Sequence, residues 1–402
     1  MSTHGGTKVP RYERARNAGA GDSRDARLDP WGAILVALFL LVIGLPLAAN
    51  LAGADGADPG AENREMAAFP RLDGSWKSVA NFGNGLGHWF DDHFGFRAAL
   101  VRWFGETRLF WLGVSPSSTV IKGRDGWLFY ADDSALDDYV AETPFAPEEL
   151  RTWRVTLAAT NDWLNERGVR FVFTIAPDKH VIYPEQMPAS LHRVGGLSRT
   201  DQLFAYLRQT TDLALVDARP ALFAAKEDER LYHLTDTHWN DRGAFVAYRE
   251  IIEAVRRKVP SVPAPWNRSD FEPVTRDSAG RDLAGMIGLT RVLRESDLVL
   301  VPRRPRQARV VEPLGADPTD EAGRLITEIS GSRLPRALII RDSFASGLAP
   351  FLSEHFGRTV YLWQNYVGAD AVLREKPAVV IQEIVGRHLL SVVPYNDVAN
   401  QH

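Results

Sequence analysis

The feature that most constrains this chain is an uncharged apolar run near its start, which reads WGAILVALFLLVIGLPLAA from Trp31 to Ala49. At a rise of about 1.5 Å per residue, roughly 20 apolar residues cross the hydrocarbon core of a bilayer. No polar face interrupts the run, which argues against a helix buried in a globular core. The run therefore predicts a transmembrane helix over residues 31–49.

The charges on either side of this run predict its orientation. The residues before it carry several basic side chains, at Lys8, Arg11, Arg14, Arg16, Arg24 and Arg27. The first charges after it are acidic, at Asp55 and Asp58. The positive-inside tendency then makes residues 1–30 a cytoplasmic tail, expected to be disordered, and puts the bulk of the chain outside the cytoplasm.

A cleaved signal peptide is the alternative, because Leu47-Ala48-Ala49 resembles a small-residue cleavage site. Cleaved signals usually have a shorter apolar region of about 7–15 residues, which favours a retained anchor. Under both interpretations the chain beyond about residue 50 is extracytoplasmic. The anchored interpretation predicts a single-pass inner-membrane protein with its main domain in the periplasm.

The pattern beyond a linker at 50–75 alternates helices with short apolar strands. An amphipathic helix at 147–168 leads directly into an apolar run from Val169 to Ala176, and further helices are predicted at 198–211 and 241–258. The other apolar runs are 213–217, 337–340, 359–362 and 378–381. This alternation predicts an α/β domain whose parallel sheet is sandwiched by helices. The domain is expected over 76–395, with an insertion at about 260–334.

Two distant segments carry the residues best suited to chemistry. One reads HLTDTHWNDRG from residue 233, and the other reads IIRDSFASG from residue 339, where a predicted strand ends. The carboxyl ends of parallel strands are where reactive groups gather in such sheets. A hydroxyl at Ser343 needs a base, and His238 can accept its proton while Asp236 orients the imidazole. These segments predict a Ser–His–Asp triad that needs neither a metal nor a cofactor.

Two other interpretations of these residues remain open. Ser343 could simply cap the helix that follows it. His233, Asp236 and His238 could instead be zinc ligands, because their side chains offer suitable donor atoms. A zinc site would lack an obvious ligand from a third segment and would leave the serine without a role.

The candidate substrate contacts lie beside the predicted triad or just past a strand. They are Arg341, Trp239, Tyr183, Lys179, Trp363 and Asn365. The net charge of -4 gives no reason to expect nucleic acid as a partner. The absence of cysteine from the sequence excludes disulfides, Cys-ligated zinc and thiol nucleophiles.

Several motifs in order resemble the alginate O-acetyltransferase family of the AlgJ and AlgX type. Besides DTHW and DSF they are ENREMAAFP at 62–70, DDHFGFR at 91–97, GRDGWLFY at 123–130 and APDKHVIYPE at 176–185. The resemblance spans roughly residues 60–390. It implies a fold like that of SGNH hydrolases with the sequence order permuted. Arg341 departs from the pattern, because SGNH hydrolases often have Gly there.

The resemblance also implies an activity. It identifies Asp236, His238 and Ser343 as the triad of an enzyme that attaches acetyl groups to hydroxyls of an exopolysaccharide in the periplasm. It implies a membrane-bound O-acyltransferase as the acetyl donor. Two alternatives remain: an extracytoplasmic carbohydrate esterase with the same triad, which would use water as the acceptor, and a non-catalytic subunit that binds glycan or a membrane partner.

Overall fold

The computed structural model describes residues 30–52, 67–132, 134–312 and 324–398. The predicted cytoplasmic tail up to residue 29, and most of the predicted linker, lie outside these residues. The described helices are α1 Pro30–Leu51, α2 Trp76–His93, α3 Arg97–Glu106, α4 Ala135–Val140, α5 Pro147–Glu166, α6 Lys179–Ile182, α7 Arg199–Thr210, α8 Arg219–Ala225, α9 Asp241–Lys258, α10 Asp282–Met286, α11 Ala345–Leu352 and α12 Ala369–Glu375. A π-helical turn, Thr107–Trp111, continues α3.

The described strands form one large sheet and two hairpins. They are β1 Val120–Lys122, β2 Leu128–Tyr130, β3 Arg170–Ala176, β4 Ala214–Val216, β5 Phe271–Ala279, β6 Arg294–Pro302, β7 Arg309–Glu312, β8 Leu325–Glu328, β9 Arg336–Arg341, β10 Arg358–Trp363 and β11 Val379–Val385. The large sheet has the order β4-β3-β11-β9-β10-β8-β7. Its first five strands are parallel, whereas β8 and β7 pair antiparallel.

Alternating side chains of the central strands feed two cores, one on each face of the sheet. On one face Ile339 and Tyr361 pack with the buried side of α9, and on the other face Leu338 and Val360 belong to the core that α5 covers. The side-chain period of two explains this division, because neighbouring residues of a strand point to opposite faces. The predicted α/β sheet sandwiched by helices is therefore confirmed.

Local signals in the sequence explain where several elements begin and turn. The amide side chain of Asn240 accepts hydrogen bonds from the backbone N–H groups of Arg242 and Gly243, which caps the first turn of α9. The β1–β2 hairpin turns through Asp125 and Gly126, whose φ values are 49° and 82°. A positive φ at both positions is what an Asp-Gly turn provides at low steric cost.

The predicted insertion contributes to two different sheets. Strands β5 and β6 form their own antiparallel hairpin, whereas β7 and β8 extend the large sheet beyond β10. The sequence pattern predicts neither arrangement, because a short apolar run does not show which edge it joins. The predicted domain boundaries stay predictions.

Helix α1 is long and apolar enough to cross a membrane, and the rest of the described chain covers little of its surface. Its carboxyl end contacts the end of α2: the side-chain amide of Asn50 donates a hydrogen bond to the carbonyl of His93. A Cβ atom at Gly95 would overlap the carbonyl of Pro46, so the chain passes α1 closely at this glycine. The two helical segments therefore meet where α1 ends.

Candidate active site

Ser343 lies in the turn between β9 and α11, at the carboxyl end of the parallel strands. The turn is held by Asp342, whose buried carboxylate accepts hydrogen bonds from the backbone N–H groups of Phe344 at 2.9 Å and Val385 at 2.6 Å. The backbone N–H of Asp342 donates to Glu383 on the neighbouring strand β11. These bonds tie the turn to the sheet, so the Ser343 hydroxyl has a fixed support.

A second segment, residues 233–239, brings His238 to this turn. The indole N–H of Trp239 donates a 3.0 Å hydrogen bond to the carbonyl of Phe344. This close approach requires a glycine in α11, because a Cβ atom at Gly347 would lie 2.9 Å from the indole nitrogen. Trp239 was a candidate substrate contact, but it is only 4% exposed. Its ring packs between the two segments.

The three residues of the predicted triad form a continuous hydrogen-bonded chain. The Nε2 atom of His238 lies 2.8 Å from the Oγ atom of Ser343, and its Nδ1 atom lies 2.7 Å from Oδ1 of Asp236. The same carboxylate oxygen accepts a hydrogen bond from the backbone N–H of His238 at 3.0 Å. This geometry lets the imidazole take a proton from the hydroxyl while the carboxylate holds the opposite ring nitrogen.

The charges of this pair shift both of its pKa values toward the ionised forms. Burial alone would raise the pKa of Asp236, but hydrogen bonds from His238 and the charge of its ring hold it well below the ordinary value. Burial alone would lower the pKa of His238, but its hydrogen bond to Asp236 and the charge of that carboxylate raise it. The site therefore favours an imidazolium once the ring has accepted a proton.

Asp282 is a further member of the site that sequence reasoning did not find. Its carboxylate accepts hydrogen bonds from the backbone N–H and the hydroxyl of Thr237, at 3.0 and 2.9 Å, and lies 3.9 Å from Nδ1 of His238. Burial, reinforced by the charge of Asp236, raises the pKa of Asp282 to about 6. The residue starts a short helix within the predicted insertion, where no motif distinguishes it from other acidic residues.

Lys179 lies beneath the loop that carries His238. It is 3% exposed, and its amino group donates 2.9 Å hydrogen bonds to the carbonyls of Leu234 and Asp236. Burial lowers the pKa of Lys179 to about 7. These contacts commit the amino group to the loop and give it a positioning role, which differs from the substrate contact expected from its place after β3.

Tyr183 is also held within the protein. It is 6% exposed, its hydroxyl accepts a hydrogen bond from the backbone N–H of Leu231 at 2.9 Å, and its ring packs 4.4 Å from that of Trp127. The position of the residue after a strand predicts its place near the sheet edge. It does not show which way the side chain points, and the structure turns Tyr183 into the core.

Arg341 and Trp363 form a stacked pair across the ends of β9 and β10. The Arg341 guanidinium lies 4.5 Å from the Trp363 ring and donates hydrogen bonds to the carbonyl of Asp342 and the hydroxyl of Ser346. Arg341 is 2% exposed, whereas Trp363 is 40% exposed. Trp363 and the exposed Asn365 are therefore the two predicted substrate contacts whose side chains face solvent at this edge.

The alternative zinc set is not brought together as one cluster in the described structure. The Nδ1 atom of His233 lies 2.7 Å from Asp297, in a group with Glu295, whereas His238 and Asp236 group with Asp282. Arg281 forms ion pairs with both Glu295 and Asp297, so cationic side chains already neutralise the His233 group.

The part of the chain that contains the candidate active site matches known proteins. Residues 120–384 match the family described as "SGNH hydrolase-like domain, acetyltransferase AlgX". A protein of Pseudomonas putida named "Probable alginate O-acetylase AlgJ" is 26% identical over 289 residues, which cover 67% of this chain and 70% of that protein. Its namesake in Pseudomonas aeruginosa is 28% identical over 238 residues, which cover 56% of this chain and 55% of that protein. The chain thus spans about half the length of the second relative.

The chain is also similar to proteins of known structure, at lower sequence identity. The structure of PatB1 from Bacillus cereus matches with a TM-score of 0.49 and 16% sequence identity, covering 67% of this chain and 96% of that one.

Proposed function

The chain belongs to the family of SGNH hydrolase-like domains of the acetyltransferase AlgX, and from that premise we propose that it transfers acetyl groups to a polysaccharide through an acetylated Ser343. Membership confirms three expectations drawn from the sequence: the alginate O-acetyltransferase family, an SGNH-like α/β fold and an acyltransferase. To these we add as proposals the triad, the covalent intermediate and the partners.

One observation carries the proposal: the hydrogen-bonded chain from Asp236 through His238 to Ser343, at the carboxyl end of the parallel strands. A helix cap would explain the serine, but it would not explain an imidazole 2.8 Å from the hydroxyl. A carboxylate on the other ring nitrogen completes the arrangement that activates a serine nucleophile.

In the first step Ser343 takes the acetyl group from its donor. The Oγ atom attacks the acetyl carbonyl carbon, and its proton passes to Nε2 of His238. The bond between the acetyl carbon and the donor's leaving oxygen or sulfur then breaks, and the leaving group takes the proton from the imidazolium. An acetyl ester of Ser343 and a neutral His238 remain.

The second step reverses these roles with a sugar as the nucleophile. His238 accepts the proton of a sugar hydroxyl, whose oxygen attacks the acetyl carbon of the serine ester. The bond to Oγ breaks and Ser343 regains its proton from the imidazolium. Asp236 stabilises the imidazolium in both steps, which is the state that its low pKa and the raised pKa of His238 favour.

The names of the relatives support the class of acceptor. Two relatives carry the name of an alginate O-acetylase, so an exopolysaccharide is the proposed acceptor. A membrane-bound O-acyltransferase is the proposed donor, and α1 would hold the protein in the inner membrane with its domain in the periplasm. The length and apolar composition of α1 support this anchoring.

Water is a second acceptor that the geometry allows. The side chain of His238 is 29% exposed, so solvent reaches the base. Hydrolysis of the acetyl-serine would make the protein an esterase with the same residues. Transfer and hydrolysis differ in whether a sugar hydroxyl displaces water at this point.

The experiment uses the purified full chain in detergent with an activated aryl acetate, in the presence and absence of an oligosaccharide acceptor. We expect acetylated oligosaccharide with the wild type, none with Ser343→Ala, and wild-type amounts with the exposed control Ser391→Ala. Release of acetate alone would support the esterase. Wild-type transfer by Ser343→Ala would contradict the proposal.

A further inference from the structure

The segment that follows the end of α1 exposes an unusual concentration of large apolar side chains. Outside α1, more than half of the exposed large hydrophobic residues of the described chain lie within 69–114. The most prominent set lies on α3, on the π-helical turn and on the residue that ends this turn, and is named here the aromatic face: Leu100, Trp103, Phe104, Phe110, Trp111 and Leu112. Trp103 is 67% exposed and Trp111 is 86% exposed. Patches of this kind mark sites of contact with another molecule or a membrane.

The opposite side of the same helix is already used for packing. Gly105 and Leu109 are buried, and a Cβ atom at Gly105 would lie 3.0 Å from the carbonyl of Ile287 and 3.2 Å from the side chain of Leu289. The amino group of Lys122 donates a 2.7 Å hydrogen bond to the carbonyl of Leu109. One side of α3 is thus fixed to the domain, and the aromatic face points out of it.

The contact between α1 and the residues before α3 indicates what covers the aromatic face. Asn50, at the outer end of α1, hydrogen-bonds to His93, and Gly95 passes directly beside Pro46. Helix α3 begins two residues later, at Arg97. If α1 spans the membrane, α3 therefore starts at the level where the membrane meets water.

The amino-acid composition of α3 and the π-helical turn is typical of segments that lie at the boundary between lipid and water. Tryptophan and other aromatic side chains prefer the interface between lipid and water, because one part of the side chain is apolar and another can be polar. Arg102 and Arg108 are interspersed with the aromatic residues, and the Arg108 guanidinium lies 5.6 Å from the centre of the Phe104 ring. Long basic side chains can bury their apolar stems while their charges remain in the headgroup layer.

We infer that the aromatic face lies in the outer surface of the same bilayer that α1 crosses, and so holds the domain close to the membrane. The inference rests on the proposed anchoring of α1 but not on the acetyl-transfer chemistry. A lipid surface explains an apolar face next to a transmembrane helix without a further protein. A protein partner or a second copy of this chain is an alternative that the test distinguishes.

The absence of cysteine from the sequence makes the test direct, since any introduced thiol is unique. The full chain carrying Trp103→Cys or Trp111→Cys is labelled with a nitroxide and reconstituted into phosphatidylethanolamine–phosphatidylglycerol vesicles. Matched controls are Val155→Cys and Leu373→Cys, which are 49% and 50% exposed on the domain. Leu38→Cys in α1 is the reference for lipid. Only variants with the wild-type circular dichroism spectrum and thermal unfolding midpoint are compared, which excludes misfolded protein and does not depend on the acetyl-transfer activity.

The readout is collision of each nitroxide with oxygen, which concentrates in lipid, and with a nickel chelate, which stays in water. We expect labels at 103 and 111 to collide preferentially with oxygen, as at 38, and labels at 155 and 373 to collide preferentially with the chelate. Chelate-accessible labels at 103 and 111, with 38 still in lipid, would overturn the inference while leaving the anchor intact. Labels at 103 and 111 shielded from both reagents would also overturn it and indicate contact with protein.

Discussion

The loop that carries His238 and the helix that carries Trp103 both hold side chains that are costly to leave unpartnered, and they solve this problem differently. The loop finds its polar partners within the chain: Lys179 donates hydrogen bonds to two of its carbonyls, and Asp236 hydrogen-bonds to the imidazole. The helix turns its large apolar side chains outward. The loop, whose polar groups are paired within the chain, is preorganised for chemistry. The helix, whose apolar side chains have no cover within the described chain, is suited to contact with another surface.

This difference predicts that substitutions in the two regions separate cleanly. Changes in the loop should alter reaction rates and leave contact with lipid unchanged. Changes on the aromatic face should alter contact with lipid and leave the hydrolysis of small esters unchanged. Four substitutions in and around the active site test whether rates depend on these residues, and they are given in order of decreasing expected effect.

The largest effect is expected from His238→Gln, which removes the base. We predict a fall in kcat on the order of 10⁶-fold, the scale seen when a serine triad loses its histidine. Aryl acetate hydrolysis and polymer acetylation should fall together, because both steps need the same base. The exposed control His192→Gln should retain full activity. A His238→Gln variant with more than a tenth of wild-type activity would contradict the role of His238 as the base.

Asp236→Asn should lower kcat on the order of 10⁴-fold, because the amide cannot hold the productive tautomer of the imidazole. The pH profile gives the sharper result. His238 must be neutral to accept a proton, so activity falls as the pH drops through its pKa. Asp236 raises that pKa through its hydrogen bond and charge, against the opposing effect of burial. Its loss should move the acidic limb of the kcat profile to lower pH, and an unmoved limb would contradict the assignment.

Asp282→Asn is expected to have a smaller effect, of about tenfold or less on kcat, since about 1 kcal/mol is typical of one hydrogen bond. The carboxylate supports the backbone and hydroxyl of Thr237 and contributes negative charge 3.9 Å from the imidazole. Removing that charge should move the acidic limb to lower pH, in the same direction as Asp236→Asn. The exposed control Asp277→Asn should move neither value. A lower kcat with an unchanged profile would reduce Asp282 to a purely structural residue.

The smallest effect is expected from Trp363→Ala. This half-exposed ring lies at the end of β10 on the Arg341 guanidinium, one strand from the serine. If it stacks on a sugar, KM for the oligosaccharide acceptor should rise by about threefold to tenfold, matching roughly 0.5–1.5 kcal/mol for an aromatic contact. Hydrolysis of aryl acetate should not change, and Trp363→Phe should restore most of the affinity. Equal loss with water and sugar as acceptors would argue against a sugar contact.

The sequence predicted the sheet more completely than the site, for a physical reason. Strand β9, for example, contains the short apolar run 337–340 and ends just before a helix, and that pattern depends on local residues alone. The juxtaposition of Ser343 with His238 was also expected, because the turn after a parallel strand and the DTHW segment each have distinctive chemistry. Their catalytic roles stay predictions.

The parts that the sequence did not predict depend on orientation and on distant contacts. Lys179 and Tyr183 were expected near the sheet edge, but position after a strand does not determine whether a side chain points to substrate or into the loop beneath. Asp282 comes from a segment expected to be an insertion, and only the fold brings it to Thr237. The pairing of β7 and β8 with the large sheet was not predicted either, because tertiary structure decides which strand pairs with a sheet edge.

Everything proposed for this enzyme depends on an acetyl group bound to Ser343, and the mass of the peptide that contains this residue tests for it. The full chain is mixed with an aryl acetate, quenched in acid during turnover, digested and analysed by mass spectrometry. We expect one acetyl group on the peptide containing Ser343, and we expect it to disappear when an oligosaccharide acceptor is added before the quench. Turnover with acetyl on a different residue, or undiminished turnover by Ser343→Ala, would contradict it.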